Sequence, residues 1–234
     1  MKHLLLICCT WMLLTSCAEK NYNIAGNTNV EYFDGRMLYL RVPDVHTHAI
    51  SDVDSCRVVH GRFDFMGSVD SVVMAQLFVE KETIMPVVLE HGDLFVEVTH
   101  GGQRVQGGRY NEMLYNFLRK KNKIEYKLWE VDQEFMQLMR QGKRLEDIQQ
   151  QLGKKSAKLN KEMEELETKF IIENHDNPLG AGYFMLLFSQ YPLPMMNSQL
   201  QNIIHLAPKS FLSLPLIDSY IRKAKANEAL YHQP

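Results

Sequence analysis

The 234-residue sequence carries 26 Lys and Arg against 28 Asp and Glu, a net charge of −2, so it lacks the positive excess typical of nucleic-acid-binding proteins. Its hydrophobic content of 45 % and charged content of 23 % are those of a globular protein. Beyond the first sixteen residues, no apolar run approaches the ~20 residues that a membrane helix requires. We therefore expect a globular body that has no nucleic-acid partner and does not itself cross a membrane.

The N-terminus has the pattern of an export signal. Lys2 precedes a short apolar stretch that ends in the run Leu14-Thr15-Ser16-Cys17. This run resembles the lipobox of bacterial lipoproteins, in which the cysteine is diacylated on sulfur and becomes the new N-terminus. The resemblance implies a signal peptide over 1–16, lipidation of Cys17 and a membrane partner reached through that lipid. Ala18 is not the aspartate that often retains lipoproteins at the inner membrane, so the resemblance favours the outer membrane, facing the periplasm or the cell surface.

Cys56 is the one thiol that this processing would leave. Cys8 and Cys9 would be removed with the signal peptide and Cys17 would carry lipid, which excludes an intrachain disulfide. The residues around Cys56 have the composition of a strand, and this favours a buried, inert thiol. Pairing with another molecule and a reactive thiol remain open alternatives.

A short tether over 17–30 and a β domain over 31–110 follow. Residues 18–29 are polar, rich in Asn and without periodicity, which predicts a flexible tether. From about residue 32, short β-branched and aromatic runs alternate with turn residues, the pattern of an all-β unit. The seven predicted strands cover 37–42, 56–59, 63–65, 72–79, 86–90, 94–98 and 104–106.

At Asn111 the hydrophobic period changes from two to 3.6, which predicts a helical domain over 111–234. Two long amphipathic helices with a break at Gly142 indicate an antiparallel hairpin, and the interruption at Lys155-Ser156 argues against the alternative of a long coiled coil. Further predicted helices start after the cap Asn177-Pro178, after a cap at Ser198 and near 215. The fold class is therefore α+β, an N-terminal antiparallel β-sandwich followed by a C-terminal α-helical bundle with a long helical hairpin.

Four short motifs carry a resemblance to a known family: Asp54-Ser55, the hairpin 59–67, the turn 89–93 and the segment 105–108. Together they resemble a domain of unknown function that usually precedes thioredoxin-like domains of the AhpC/TSA type in lipid-anchored envelope proteins. This sequence has His91 where the turn of that family usually has proline. The relatives continue into a domain with a cysteine centre, whereas no cysteine follows Cys56 here, so we expect no thioredoxin-like domain and carry no redox chemistry over to any residue.

His46 and His48 are the best candidate metal ligands, because i,i+2 residues on a strand face the same way and imidazole suits Zn or Cu. A polar, solvated loop is the simpler interpretation, and we predict no metal and no other cofactor. A third ligand would have to come from Asp44, His60, His91 or His100. An apolar pocket could form around Phe188, Tyr191, Met195 and Met196, although core filling is the better explanation of these residues.

No nucleophile elbow and no phosphate-binding loop is present in the sequence, so we expect a non-catalytic protein. The preferred function is an envelope interaction module that binds another envelope protein, a glycan or a small ligand through the sandwich or its junction with the helices. The alternative is an accessory of thiol-disulfide redox or envelope stress pathways, which either acts directly through Cys56 or docks a separate thioredoxin-like partner.

Overall fold

The structure, a computed structural model, describes residues 21–43 and 50–231. In these two ranges eight strands come first: β1 Asn21–Thr28, β2 Met37–Pro43, β3 Ile50–Arg57, β4 Arg62–Ser68, β5 Val73–Val79, β6 Glu82–Leu89, β7 Gly92–Thr99 and β8 Gly102–Gln106. Six helices follow: α1 Arg109–Arg140, α2 Leu145–Glu173, α3 Pro178–Phe188, α4 Ser198–Leu206, α5 Lys209–Leu212 and α6 Pro215–Tyr231. The predicted α+β class is confirmed.

The strands form two four-stranded sheets, sheet A in the order β4-β1-β7-β8 and sheet B in the order β3-β2-β5-β6. In sheet A every second residue is buried, for example Leu94, Val96 and Val98 of β7, and the residues between them are more exposed. The inner faces of both sheets belong to one hydrophobic core. Sheet A thus turns its outer face to solvent, while the outer face of sheet B is partly covered by helices.

Strand β1 corrects the predicted tether, because residues 21–28 lie in the middle of sheet A. Tyr22 and Ile24 are buried, and Gly26 lies directly under the ring of Phe63, which leaves no room for a Cβ. β1 pairs antiparallel with β4 and parallel with β7, so the sandwich contains one parallel pair. The strand escapes sequence detection because its outward positions are Asn and Ala and its third inward position is a glycine without a side chain.

Helix α1 starts against β6, the last strand of sheet B. Buried Asn111 uses its side-chain amide to pair with the main chain of Val88: Val88 N donates to Oδ1 over 2.9 Å and Nδ2 donates to Val88 O over 2.8 Å. Buried Glu90 accepts from the backbone N–H groups of Tyr110 and Asn111, at 3.1 and 2.9 Å, and so caps the helix with a negative charge. Tyr115 Oη donates to Pro86 O over 2.8 Å. These bonds fix the sandwich against the helices.

Helices α1 and α2 form the predicted antiparallel hairpin. Phe117 stacks on Phe170 with ring centroids 4.0 Å apart, and Lys155 reaches Glu134 over 3.2 Å nearer the turn. The turn contains Gly142 at φ 75°, a left-handed conformation that favours glycine. The apolar faces of the two helices pack against each other within the chain. Their buried residues form a separate core inside the hairpin: Ile124, Val131, Ile148, Leu152 and Leu159.

The remaining helices pack beside this hairpin, and a buried polar contact joins α2 to α3 and α4. Glu167 is 5 % exposed and accepts from Tyr183 Oη over 2.8 Å and from Gln199 Nε2 over 3.1 Å. The cap at Asn177 is confirmed, because its side chain accepts from Leu179 N. The cap of α4 is Asn197 and not Ser198, since Asn197 Oδ1 accepts from Leu200 N over 2.8 Å. Within the described residues, no helix is both long enough and apolar enough to span a membrane.

Candidate ligand-binding site

A cavity of about 550 Å³ lies between the outer face of sheet B and helix α3. Its walls come from β2, β3, β5 and β6 on one side and from α3 with Leu216 of α6 on the other. The apolar lining residues are Val42, Pro43, Ile50, Val72, Val73, Met74, Phe78, Pro178, Ala181, Gly182, Met185, Leu186 and Leu216. The polar lining residues are Arg41, Gln76, Thr83 and Ser189.

The sheet wall follows from the alternation of β5. Ala75, Leu77 and Val79 are buried in the sandwich. The residues that alternate with them point to the opposite face and line the cavity: Met74, Gln76 and Phe78. Met74 and Phe78 are themselves only 6 % exposed. β5 is therefore buried on both faces, as is usual for a strand between two layers.

The helical wall approaches the sheet closely at Gly182. A Cβ at this position would lie 2.5 Å from Met74 Cβ, so only glycine allows α3 to lie this close to β5. Ala181, Met185 and Leu186 project from the same helix and are only partly buried, because the cavity lies in front of them. Gly182 therefore sets how closely the helical wall approaches the sheet wall.

Arg41 is the one ionisable side chain among the described residues that line the cavity. Its Nε donates to Asp52 Oδ1 over 2.6 Å, and its Nη1 donates to the carbonyl oxygen of Glu80 over 2.9 Å. The guanidinium also lies against two aromatic rings, 4.7 Å from the centroid of Tyr39 and 4.6 Å from that of Phe78. Two hydrogen bonds and two ring contacts fix its orientation.

Two irregularities of strand pairing flank this arginine. The register between β2 and β3 shifts between Leu40 and Arg41, and the register between β5 and β6 shifts between Leu77 and Phe78. In each case one extra residue, Val53 or Ile84, stands unpaired in the outer strand. Bulges redirect side chains and are common beside functional sites, so their position on both sides of the Arg41–Phe78 contact marks this part of sheet B as a candidate site.

The described lining is mainly apolar, which suits the binding of a ligand. The described lining residues include no carboxylate, imidazole or thiol that could act as a base or a nucleophile. Over residues 21–43 and 50–231, no three His, Cys, Asp or Glu side chains come close enough together to hold a metal ion. What the cavity offers is an apolar wall with a fixed cation at one edge.

Several predicted site residues lie outside the described residues. These are the predicted lipidation site Cys17 and the candidate metal ligands Asp44, His46 and His48. Their roles stay predictions. Pro43 and Ile50, the described residues on either side of segment 44–49, both line the cavity.

The structure separates the three histidines that were candidates for a third metal ligand. His60 and His100 occupy turns at one end of the sandwich, where Asn27 pairs with Arg62 and Thr28 pairs with Val98. His91 lies in the β6–β7 turn at the opposite end of β7, so no single site could use all three.

Cys56 is half-buried at the inner side of β3, opposite the buried Leu38 of β2. Burial raises the pKa of its thiol from 9.0 to about 12, although a backbone hydrogen bond with Asp64 acts in the opposite direction. Asp54 and Asp64 add negative charge that raises this pKa further. At neutral pH the side chain is therefore a protonated thiol, the form that favours the inert interpretation.

The predicted apolar pocket around Phe188, Tyr191, Met195 and Met196 does not coincide with the cavity. Phe188 is fully buried and stacks on Tyr191 with centroids 6.3 Å apart, while Met195 is 48 % exposed. None of these, nor Met196, lines the cavity beside α3. The methionines that do are Met74 and Met185.

Sequence reasoning missed Arg41, although a signal for it exists. In 73–79 both alternating sets are largely apolar, which indicates a strand covered on both faces and hence a second layer over sheet B. In β2 the inward residues Leu38 and Leu40 alternate with Tyr39 and Arg41, which places Arg41 on the covered face. A charged residue on that face is a candidate for a binding role.

Residues 22–114 match the model of a family described as a domain of unknown function (DUF4369). Comparison with curated proteins and comparison with solved structures both give no match. The matched span covers the sandwich and the start of α1, including the Glu90–Asn111 contact. The resemblance to a domain of unknown function is confirmed over this span.

Proposed function

We propose that this protein is a non-catalytic, lipid-anchored binding module of the cell envelope, and that it binds a small, largely apolar ligand in the cavity between sheet B and α3. The observation that carries the proposal is the cavity itself. Its volume of about 550 Å³ lies within the ~300–1,000 Å³ usual for small-molecule sites. Its lining is mainly apolar with a few polar groups, which is the usual composition of such sites.

The rigidity of both walls supports binding at this place. Met74 and Phe78 belong to a strand paired on both sides, and α3 is fixed by the Asn177 cap and by the Tyr183–Glu167 bond. A cavity between fixed elements requires little ordering when a ligand enters, which favours affinity. The flexible side chains of Met74 and Met185 can adjust to the shape of an apolar guest.

The anchoring part of the proposal rests on the sequence. The run Leu14-Thr15-Ser16-Cys17 resembles a lipobox, and β1 begins only four residues after Cys17. A link of that length would hold the sandwich within roughly 14 Å of the lipid headgroups. The proposed location is the outer membrane, as the resemblance favours.

The raised pKa of Cys56 disfavours the thiol-redox alternative in the form that acts directly through this residue. That alternative, in its direct form, needs a reactive Cys56, whereas the raised pKa keeps this thiol protonated. The match to a domain of unknown function is equally compatible with either role.

Filling the cavity tests the binding site. A neutral, apolar fluorescent probe should bind the wild-type protein with one site, and Ala181→Phe should lower its affinity at least tenfold because the new ring occupies the cavity. Ala157→Phe on the exposed face of α2 is the matched control and should bind as the wild type does. Ser189→Trp at the cavity rim repeats the test at an exposed position, and circular dichroism confirms that each variant is folded. Equal probe affinity in all four proteins would refute the site.

Metabolic labelling with a fatty-acid analogue tests the anchor. Wild type and Cys56→Ser should both be labelled and should both fractionate with membranes, whereas Cys17→Ala should be unlabelled. Labelling of Cys17→Ala at the wild-type level would refute lipidation at this residue.

A further inference from the structure

We infer that the ligand of this cavity is a single-chain amphiphile with an anionic head group, such as a long-chain carboxylate, whose head group Arg41 binds. The inference rests on the proposed function, because it names the ligand class of the same site. It goes beyond that function in assigning a specificity-determining role to one residue.

The electrostatics of the lining select the sign of the head group. Arg41 is the single charged group among the described lining residues, and its side chain is only 19 % exposed. Its partner Asp52 does not line the cavity and is 56 % exposed, so solvent screens the carboxylate more than it screens the guanidinium. Within the described lining a ligand therefore meets positive charge, which favours an anionic head group over a neutral or cationic one.

The contacts of Arg41 orient its guanidinium before any ligand binds. Nε and Nη1 are held by Asp52 and by the Glu80 carbonyl oxygen, and the rings of Tyr39 and Phe78 fix the plane of the guanidinium. An arginine oriented in advance loses little side-chain entropy when it binds a carboxylate. Hydrogen bonds between two charged groups are also stronger than neutral ones.

The shape of the cavity favours one hydrocarbon chain. Lining residues extend from Val72 to Phe78 along β5, which is about 20 Å of strand, and from Pro178 to Ser189 along α3, which is about 17 Å of helix. A mainly apolar space whose lining extends this far along both walls fits an extended hydrocarbon chain.

Displacement of the neutral probe by matched ligands tests the inference. Dodecanoate, dodecanol and dodecyltrimethylammonium share one chain length and differ in head-group charge, and each is used below its micellar concentration. In the wild type we expect dodecanoate to compete at least tenfold more tightly than dodecanol, and the cation to compete most weakly.

Variants assign this preference to Arg41. Arg41→Met should reduce the dodecanoate preference to less than threefold while dodecanol still competes, and Arg41→Lys should retain part of it. Arg36→Met is the matched control, because Arg36 also pairs with a carboxylate and lies over an aromatic ring but does not line the cavity. Asp52→Asn should tighten dodecanoate binding, since it removes the anion that competes for Arg41.

The outcomes separate the two proposals. Equal competition by dodecanoate and dodecanol in the wild type would overturn the head-group inference and leave the binding site intact. A dodecanoate preference that survives in Arg41→Met would overturn the role of Arg41. Failure of the wild type to bind the probe, or unchanged probe binding in Ala181→Phe, would overturn the proposed function itself.

Discussion

Replacing Asn111 by alanine should destabilise the protein strongly, because the amide of this side chain supplies the hydrogen-bond partners of a buried backbone residue in β6. The substitution removes the hydrogen bonds to Val88 N and Val88 O and a third, from Nδ2 to Glu90 Oε1 at 3.0 Å. Val88 is fully buried, so water cannot replace the lost partners. Each buried main-chain group left without a partner costs about 1–3 kcal/mol, and the better helix propensity of alanine returns less than about 0.7 kcal/mol. The free energy of unfolding should fall by about 2–5 kcal/mol.

Urea unfolding followed by circular dichroism at 222 nm measures this change, and thermal unfolding should show a midpoint roughly 4–20 °C lower. Asn116→Ala is the matched control: Asn116 lies in the same helix, is exposed and makes its side-chain bond only with Arg119 among the contacts that the structure describes. Its effect should stay within about 0.5 kcal/mol. A loss below about 1 kcal/mol in Asn111→Ala would refute the view that this amide substitutes for a neighbouring strand.

Three further outcomes are expected. Gly26→Ala should cost about 1–3 kcal/mol in urea unfolding, because the added methyl group collides with the ring of Phe63. Iodoacetamide should modify Cys56 at pH 8 at least tenfold more slowly in the native protein than in urea, and equal rates in the two states would contradict this. Because folding raises the pKa of the Cys56 thiol to about 12, the stability that this thiol contributes is complete below about pH 9 and is lost as pH rises towards 12. Tyr183→Phe should lower stability by about 1.5–3 kcal/mol, because the buried Glu167 loses a 2.8 Å hydrogen bond, and a neutral result in the same unfolding assay would mean that water replaces it.

The sequence predicts those parts of the fold in which hydrophobic period and local punctuation agree. The change of period near Asn111, the glycine break at Gly142 and the cap at Asn177 all have local physical causes, and the structure has each of them. Strand β1 could not be found this way, because Gly26 is selected by the ring of Phe63, a residue 37 positions later. Only the tertiary contact explains that glycine.

The candidate site was less accessible to sequence reasoning than the fold. Its walls join residues far apart in the chain, since Met74 of β5 meets Gly182 of α3. The orientation of Arg41 depends on two bulges and on the carbonyl of Glu80, and neither bulge has a glycine or proline at the shift that would mark it. Periodicity can place a residue on a face, but it does not tell which element covers that face.

The central position of β1 decides where this protein can be shortened. A chain that begins at Glu31 would lack the strand between β4 and β7, and sheet A would be left as a single strand and a separate pair. Phe65 and Val96, whose strands β1 holds on its two sides, would then border a gap with unpaired N–H and C=O groups. Such strands recruit whatever extended peptide is available, including other copies of the chain, so a truncation at Glu31 is expected to yield aggregated protein. Soluble fragments should retain every residue from Asn21 onward.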